Sequence, residues 1–306
     1  MGRAVRFDHY GGRDVLYIAD VEIPTPAAGE VVVAVRAAAI NPGEAAIRKG
    51  ALAERFPATF PSGEGSDLAG VVYSVGDEVT EFAADDSVVG WSWRRSSHAE
   101  YVAVPVHQLI PKPPQLSWEA AGSLYVVGVT AYAAVRAVGA GPGDTIAVSA
   151  AAGGVGTVVV QLLRIKGVTV LGIASESNHE WLAAHGVIPT SYGEGLADRL
   201  RASAPNGIDA FIDLFGPEYV QLAVDLGIEP GRIETIIARE KALEVGAKAE
   251  GSADASTTEV LSEMAELVAS GQIEIPIAGT YPLEQVREAF GELEKRHTRG
   301  KIVLIP

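Results

Sequence analysis

The sequence contains no cysteine. That one absence excludes disulfides, thiolate nucleophiles, iron–sulfur clusters and cysteine-ligated zinc. Long apolar runs are missing too. None approaches the roughly 20 residues that span a bilayer, and the opening Met1-Gly2-Arg3-Ala4-Val5-Arg6-Phe7 carries no apolar signal-peptide segment. Bases are outnumbered, with 24 Lys and Arg against 39 Asp and Glu and a net charge of −15. Without a cluster of bases, such a chain is repelled by nucleic-acid phosphates and anionic membrane surfaces. These absences predict a soluble cytoplasmic protein with neither a nucleic-acid nor a membrane partner.

What is present is a globular composition, 48% hydrophobic and 21% charged over 306 residues. That length suits two domains at roughly 100–200 residues each. Glycine is abundant, 34 residues, well above the roughly 7% of ordinary proteins. Many tight turns, or a backbone that approaches something closely, are implied.

The first third reads as β. Val31–Val35, Gly70–Gly76, Asp86–Gly90 and Ala99–Val104 are short strands between turn residues, a spacing that suggests a barrel or sandwich. After Pro113-Pro114 the rhythm changes. Apolar strands at 145–149, 168–173, 208–214 and 232–237 alternate with helices, among them one from Val155 to Lys166. Continuous apolar strands separated by helices predict a parallel sheet covered on both faces. A further amphipathic helix carries Val260, Leu261, Met264, Leu267 and Val268, and the strand Lys301–Ile305 closes the chain.

The strongest motif is Ala151-Ala152-Gly153-Gly154-Val155-Gly156, placed between the strand ending at Ser149 and the next helix. It matches G-x-G-x-x-G with Ala151 at the first glycine. Gly153 would let the backbone approach a pyrophosphate, Gly156 would let helix and strand pack closely, and the helix N-terminus would offer free N–H groups. The next strand ends Gly172-Ile173-Ala174, without the acid that binds the ribose 2′-hydroxyl of NAD. Ser175, Ser177 and Asn178 follow as hydrogen-bonding groups. NADP (NADPH) is therefore preferred, with NAD possible: Glu176 opposes a 2′-phosphate, and the serines could instead cap the following helix.

The chain resembles the medium-chain dehydrogenase/reductase superfamily, and within it the zinc-independent NADPH:quinone oxidoreductase (ζ-crystallin-like) branch. The likeness runs through Ala39-Ile40-Asn41-Pro42, Gly65-Ser66-Asp67-Leu68-Ala69-Gly70, Ala99-Glu100-Tyr101, Gly128-Val129-Thr130-Ala131-Tyr132, the glycine loop, Gly207-Ile208-Asp209 and Gly300-Lys301-Ile302-Val303-Leu304. It implies an α/β protein: a GroES-like β-barrel catalytic domain, 1–120 completed by 272–306, and a Rossmann doubly wound parallel-sheet domain, 121–271. It also implies hydride transfer from NADPH to a quinone or an α,β-unsaturated carbonyl, and a homodimer joined through sheet edges. The stretch between Ile237 and Thr257 is shorter than in many relatives, which weakens that dimer expectation.

Where zinc-dependent relatives ligate the metal, this chain resembles them in position with Asn41, Ser66 and Val126. Valine cannot ligate, and the six histidines show no ligand spacing. No zinc is expected. The resemblance places Asn41 beside the nicotinamide and substrate as the candidate catalytic residue; an Asn-Pro turn is the structural alternative. Many relatives carry a tyrosine where Ala46 stands, so a proton donor from that segment is missing. Thr130 resembles the threonine near the nicotinamide ribose, and Tyr192 the tyrosine near the adenosine phosphate. Phe215-Gly216 and Ile237-Ala238 end strands where a cofactor crosses. Lys301 follows the family's Gly-Lys ending, or is a surface lysine on an edge strand. Trp91, Trp93 and Tyr125 either line a pocket for flat substrates or pack a core. A non-catalytic NAD(P)H-binding redox sensor or structural protein is the competing reading.

Overall fold

The computed structural model describes every residue, Met1–Pro306. Its first eight strands are β1 (Gly2–Phe7), β2 (Tyr17–Val21), β3 (Glu30–Ala39), β4 (Ser62–Gly63), β5 (Asp67–Val75), β6 (Ser87–Trp91), β7 (Tyr101–Pro105) and β8 (Leu109–Pro111), with α1 (Pro42–Arg48) between β3 and β4. Then come α2 (Trp118–Ala121), α3 (Leu124–Ala137), β9 (Thr145–Val148), α4 (Gly154–Ile165), β10 (Thr169–Ala174), α5 (His179–Ala184), β11 (Ile188–Ser191), α6 (Leu196–Ser203), β12 (Ala210–Asp213), α7 (Pro217–Asp225), β13 (Ile233–Thr235) and α8 (Arg239–Val245). The chain ends with α9 (Thr258–Ala269), β14 (Ile277–Pro282), α10 (Val286–Leu293) and β15 (Lys301–Ile305). No helix is long and apolar enough to cross a membrane.

Two compact units result. The first holds Met1–Val126, Thr257–Ser270 and Ile275–Pro306; the second holds Val127–Ser256 and Gly271–Glu274. Helix α9, grouped with the nucleotide domain from its sequence position, thus belongs to the first unit.

In the first unit the long strand β3 pairs antiparallel with β5, β7 and β15. Its run of valines and alanines is buried on nearly every position, as a strand covered on both faces requires. Two apolar clusters fill the unit. One gathers Val31, Val33, Leu68, Val88, Val102 and Leu109. The other joins Val5, Phe7 and Ile40 to Val286, Phe290, Ile302 and Leu304. The C-terminal strands are therefore structural parts of this unit, and β15 lies inside the sheet between β14 and β3.

The second unit is the parallel sheet expected, five strands in the order β11-β10-β9-β12-β13. The order reverses on either side of β9, and crevices for nucleotides form at such switch points. Strand β13 stops at Thr235, two residues short of the sequence expectation, because the Thr235 hydroxyl accepts from the N–H groups of Ile237 and Ala238 and turns the chain. Beyond β13, one parallel bridge, Glu234 to Lys248, is all that continues the sheet.

Glu234 is fully buried on β13. One carboxyl oxygen accepts from the Glu250 N–H at 2.8 Å and the other has no partner. Burial pushes this acid up to about 8. Such a group keeps its proton in the folded chain after the unfolded chain has lost it. Its contribution to stability is full below the unfolded value and falls as pH rises to about 8. Glu234→Gln should therefore lessen the decline of the urea midpoint between about pH 5 and pH 8; an unchanged slope would contradict this assignment.

Candidate active site

The glycine loop heads α4 in the second unit. Ala150 turns the chain in the left-handed region at φ +46°, and the Ala151 N–H donates to the Ile173 carbonyl at 3.0 Å. Gly153 is the N-cap of α4. A Cβ on Gly156 would lie 2.2 Å from the Ala150 oxygen and 2.8 Å from the Ala151 carbonyl carbon. Only glycine lets the helix seat on this turn. Gly153 is tight in the same direction, 3.2 Å from the Ala150 oxygen. The first-turn N–H groups of Gly154, Val155 and Gly156 have no partner within the helix, so the loop forms a cradle for an anion.

At the end of β10 three small side chains converge. The Ser175 and Ser177 hydroxyls are 3.0 Å apart, and the Asn178 amide donates to Ser175 at 2.9 Å. Ser191 is the register partner of Ala174, so Ser175 and Tyr192 leave adjacent strands together. Tyr192 is half exposed, as is Ile237, while Phe215 is partly exposed and Ala238 buried. Thr130 lies buried on α3.

Sequence reasoning missed the group that ties these strand ends together. Asp213 is fully buried. It accepts from Ser149 and Thr235 hydroxyls, both at 2.7 Å, and from the N–H groups of Phe215 and Gly216 at 2.9 and 3.1 Å. Burial raises this carboxyl, and the four hydrogen bonds oppose that rise. The network joins β9, β12 and β13 and fixes the Phe215-Gly216 and Ile237-Ala238 turns. Its one sequence signal is an acid at the end of the apolar run Ala210-Phe211-Ile212.

In the first unit Asn41 caps α1 and is buried. Its Nδ2 donates to Asp67 at 2.9 Å and to Glu44 at 3.2 Å. Its Oδ1 accepts from the Lys301 ammonium at 2.5 Å. Every polar atom of the amide is engaged within the protein. Lys301 also donates to the Ile40 carbonyl and to Asp67, both at 3.3 Å. It is 4% exposed on an interior strand, which rules out a surface lysine on an edge strand. Glu44 accepts from the Ser66 N–H and Asp67 from the Val126 N–H.

At the three positions that the resemblance aligns with a metal site, Ser66 and Val126 thus donate their N–H groups to carboxylates and the Asn41 oxygen accepts from an ammonium. No group of three or more His, Cys, Asp or Glu side chains is placed to hold a metal. Zinc does not fit this donor set, since the Asn41 oxygen already faces a cation.

Next to this cluster the buried Arg48 pairs with Glu64 at 2.5 Å and lies 4.3 Å over the Phe290 ring. Burial pushes Glu64 up to about 8 against the pull of Arg48. His98 is buried, which pushes its imidazole below the ordinary histidine range, and its Nε2 lies 3.2 Å from the Ala39 carbonyl. Trp91 stacks on Tyr125 at 4.7 Å, and Trp93 meets that ring edge-on. Trp91 and Tyr125 are core residues, whereas Trp93 is half exposed.

The sequence and the fold match known proteins. Residues 27–114 fit the family model for an alcohol dehydrogenase GroES-like domain, and residues 182–304 that for a zinc-binding dehydrogenase. The chain is 29% identical to the quinone oxidoreductase of Mus musculus, covering 99% of this chain and 97% of that protein. It is 30% identical to the synaptic vesicle membrane protein VAT-1 homolog of Homo sapiens, over 92% of this chain and 80% of the other. The solved quinone oxidoreductase of Coxiella burnetii superposes with a TM-score of 0.90 at 29% identity, over 100% of this chain and 99% of that one.

Proposed function

This chain belongs to the medium-chain dehydrogenase/reductase superfamily, in its quinone oxidoreductase branch, and we propose that it reduces a quinone or an α,β-unsaturated carbonyl with NADPH and without zinc. The observation that carries this reading is the glycine cradle, where Gly156 admits no side chain and α4 presents its free N–H groups.

The residues present suit a dinucleotide. Gly153, Gly154, Val155 and Gly156 would hold its pyrophosphate. Ser175, Ser177 and Asn178 would hold a ribose 2′-phosphate, a role that Ala174 at the end of β10 leaves open and that the exposed Glu176 opposes. Tyr192, Phe215, Gly216, Ile237, Ala238 and Thr130 would line its length. When bound, NADPH supplies a hydride.

Reduction leaves negative charge on a substrate oxygen, and fixed cations and N–H donors favour such charge. Asn41 holds Lys301 Nζ in place at the head of α1, where the Asp67 carboxylate at 3.3 Å balances its charge. Both Asn41 amide protons are engaged, and solvent is the proton source for the product. The same reading carries a cytoplasmic location and a homodimer.

Wild-type protein should consume NADPH with members of a panel of quinones and enones. The engaged amide of Asn41 favours a second reading, a non-catalytic NAD(P)H binder. NADPH binding without turnover across the panel would establish that one instead.

A further inference from the structure

Arg199, on α6, makes an unusual set of bonds. Its Nε and Nη2 donate to the Ser191 carbonyl at 3.3 and 2.8 Å. Nη2 also reaches the Tyr192 and Gly193 carbonyls, each at 3.4 Å, and Nη1 donates to the Glu194 carbonyl at 2.6 Å. One guanidinium thus gathers four consecutive carbonyls, from the last residue of β11 into the loop that follows. The loop can curl this way because Gly193 and Gly195 sit at φ +96° and +74°, where only glycine is unstrained. None of these bonds goes to a carboxylate, and the neighbouring Asp198 faces Arg201 instead. The charge of Arg199 is therefore not neutralised by an acid.

The position gives that charge a use. Tyr192 stands on the gathered loop, and its strand is paired in register with the one that leads into Ser175. The nearby acids Glu176 and Glu194 are exposed and would repel a phosphate. His179 approaches only the Ser191 hydroxyl, at 3.5 Å. We propose that Arg199 is a positioning residue for the adenosine end of the cofactor: it sets Tyr192 beside Ser175, Ser177 and Asn178 and supplies the positive charge that a ribose 2′-phosphate requires. This rests on the NADPH reading above.

NADPH and NADH differ only in that 2′-phosphate, so the pair isolates the effect. Dissociation constants for both, measured by nucleotide fluorescence, are compared in wild type, Arg199→Met and Arg199→Lys. Arg199→Met should weaken NADPH about tenfold and NADH less than about twofold, as loss of a nearby unpaired positive charge predicts. Arg199→Lys should recover part of the loss. Added salt should narrow the wild-type preference for NADPH and leave the methionine variant unmoved. Equal losses for both nucleotides would mean a merely structural role and overturn the proposal, as would an undiminished NADPH preference. Wild-type protein that binds NADH at least as tightly as NADPH would overturn the NADPH reading itself, and this inference with it.

Discussion

Protein carrying Gly153→Asp is expected to fold normally and to bind NADPH about 100-fold more weakly than wild type. The two halves of that expectation have one cause. Gly153 is the N-cap of α4, in an extended conformation open to any residue, and aspartate is among the preferred N-caps. Its Cβ would meet the Ala150 oxygen at 3.2 Å, a contact relieved by a shift of a few tenths of an ångström. The helix should therefore survive, with a melting temperature close to wild type. The new carboxylate would accept from the first-turn N–H groups that the pyrophosphate needs and would add a negative charge beside it. Binding within threefold of wild type in the folded variant would remove the glycine loop from the cofactor site. Gly156 is the weaker test, because a side chain there collides with backbone and misfolding would mimic lost binding.

The second large effect is on stability. Lys301→Met should lower the unfolding free energy by about 3–5 kcal/mol, the usual cost of removing one partner from a buried pair. Lys301 and Asp67 are 4% and 0% exposed and lie 3.3 Å apart. Without the ammonium, Asp67 keeps only N–H donors, and the Asn41 oxygen loses its donor at 2.5 Å. Urea unfolding measures the loss as a lower midpoint at unchanged slope. The double variant Asp67→Asn/Lys301→Met removes both charges and should recover at least half of it. A single variant that costs about 1 kcal/mol or less would make this pair no stronger than an exposed one.

These two sites also mark how far the sequence could be read. The glycine loop is local: strand, turn and helix follow one another within about twenty residues, and Gly156 has a steric reason that its position states. The parallel sheet was legible for the same reason, in apolar runs at 145–149 and 168–173. The Asn41 cluster was not. Asn41, Asp67 and Lys301 lie 26 and 234 residues apart in turn, and only the insertion of β15 between β14 and β3 brings the lysine inward.

Lys301 was therefore open to two readings, cofactor contact or surface strand, and the observed bonds put its ammonium on Asn41. Arg199 escaped notice because its partners are backbone carbonyls, which carry no sequence signature. Asp213 was hidden for a related reason, since two of its four donors, the Ser149 and Thr235 hydroxyls, sit at the ends of neighbouring strands that meet it only in the folded sheet. The shortening of β13 by the Thr235 hydroxyl is a local competition between side chain and ladder, and periodicity does not record it.

The most direct test combines cofactor, substrate class and metal in one assay. Protein stripped by a chelator, and shown by elemental analysis to hold no zinc, is mixed with NADPH and a quinone or enone acceptor. The expected result is oxidation of NADPH matched one for one by reduced acceptor, at the rate of untreated protein. No oxidation, or activity that returns only when zinc is added, would contradict a zinc-free NADPH-dependent reductase.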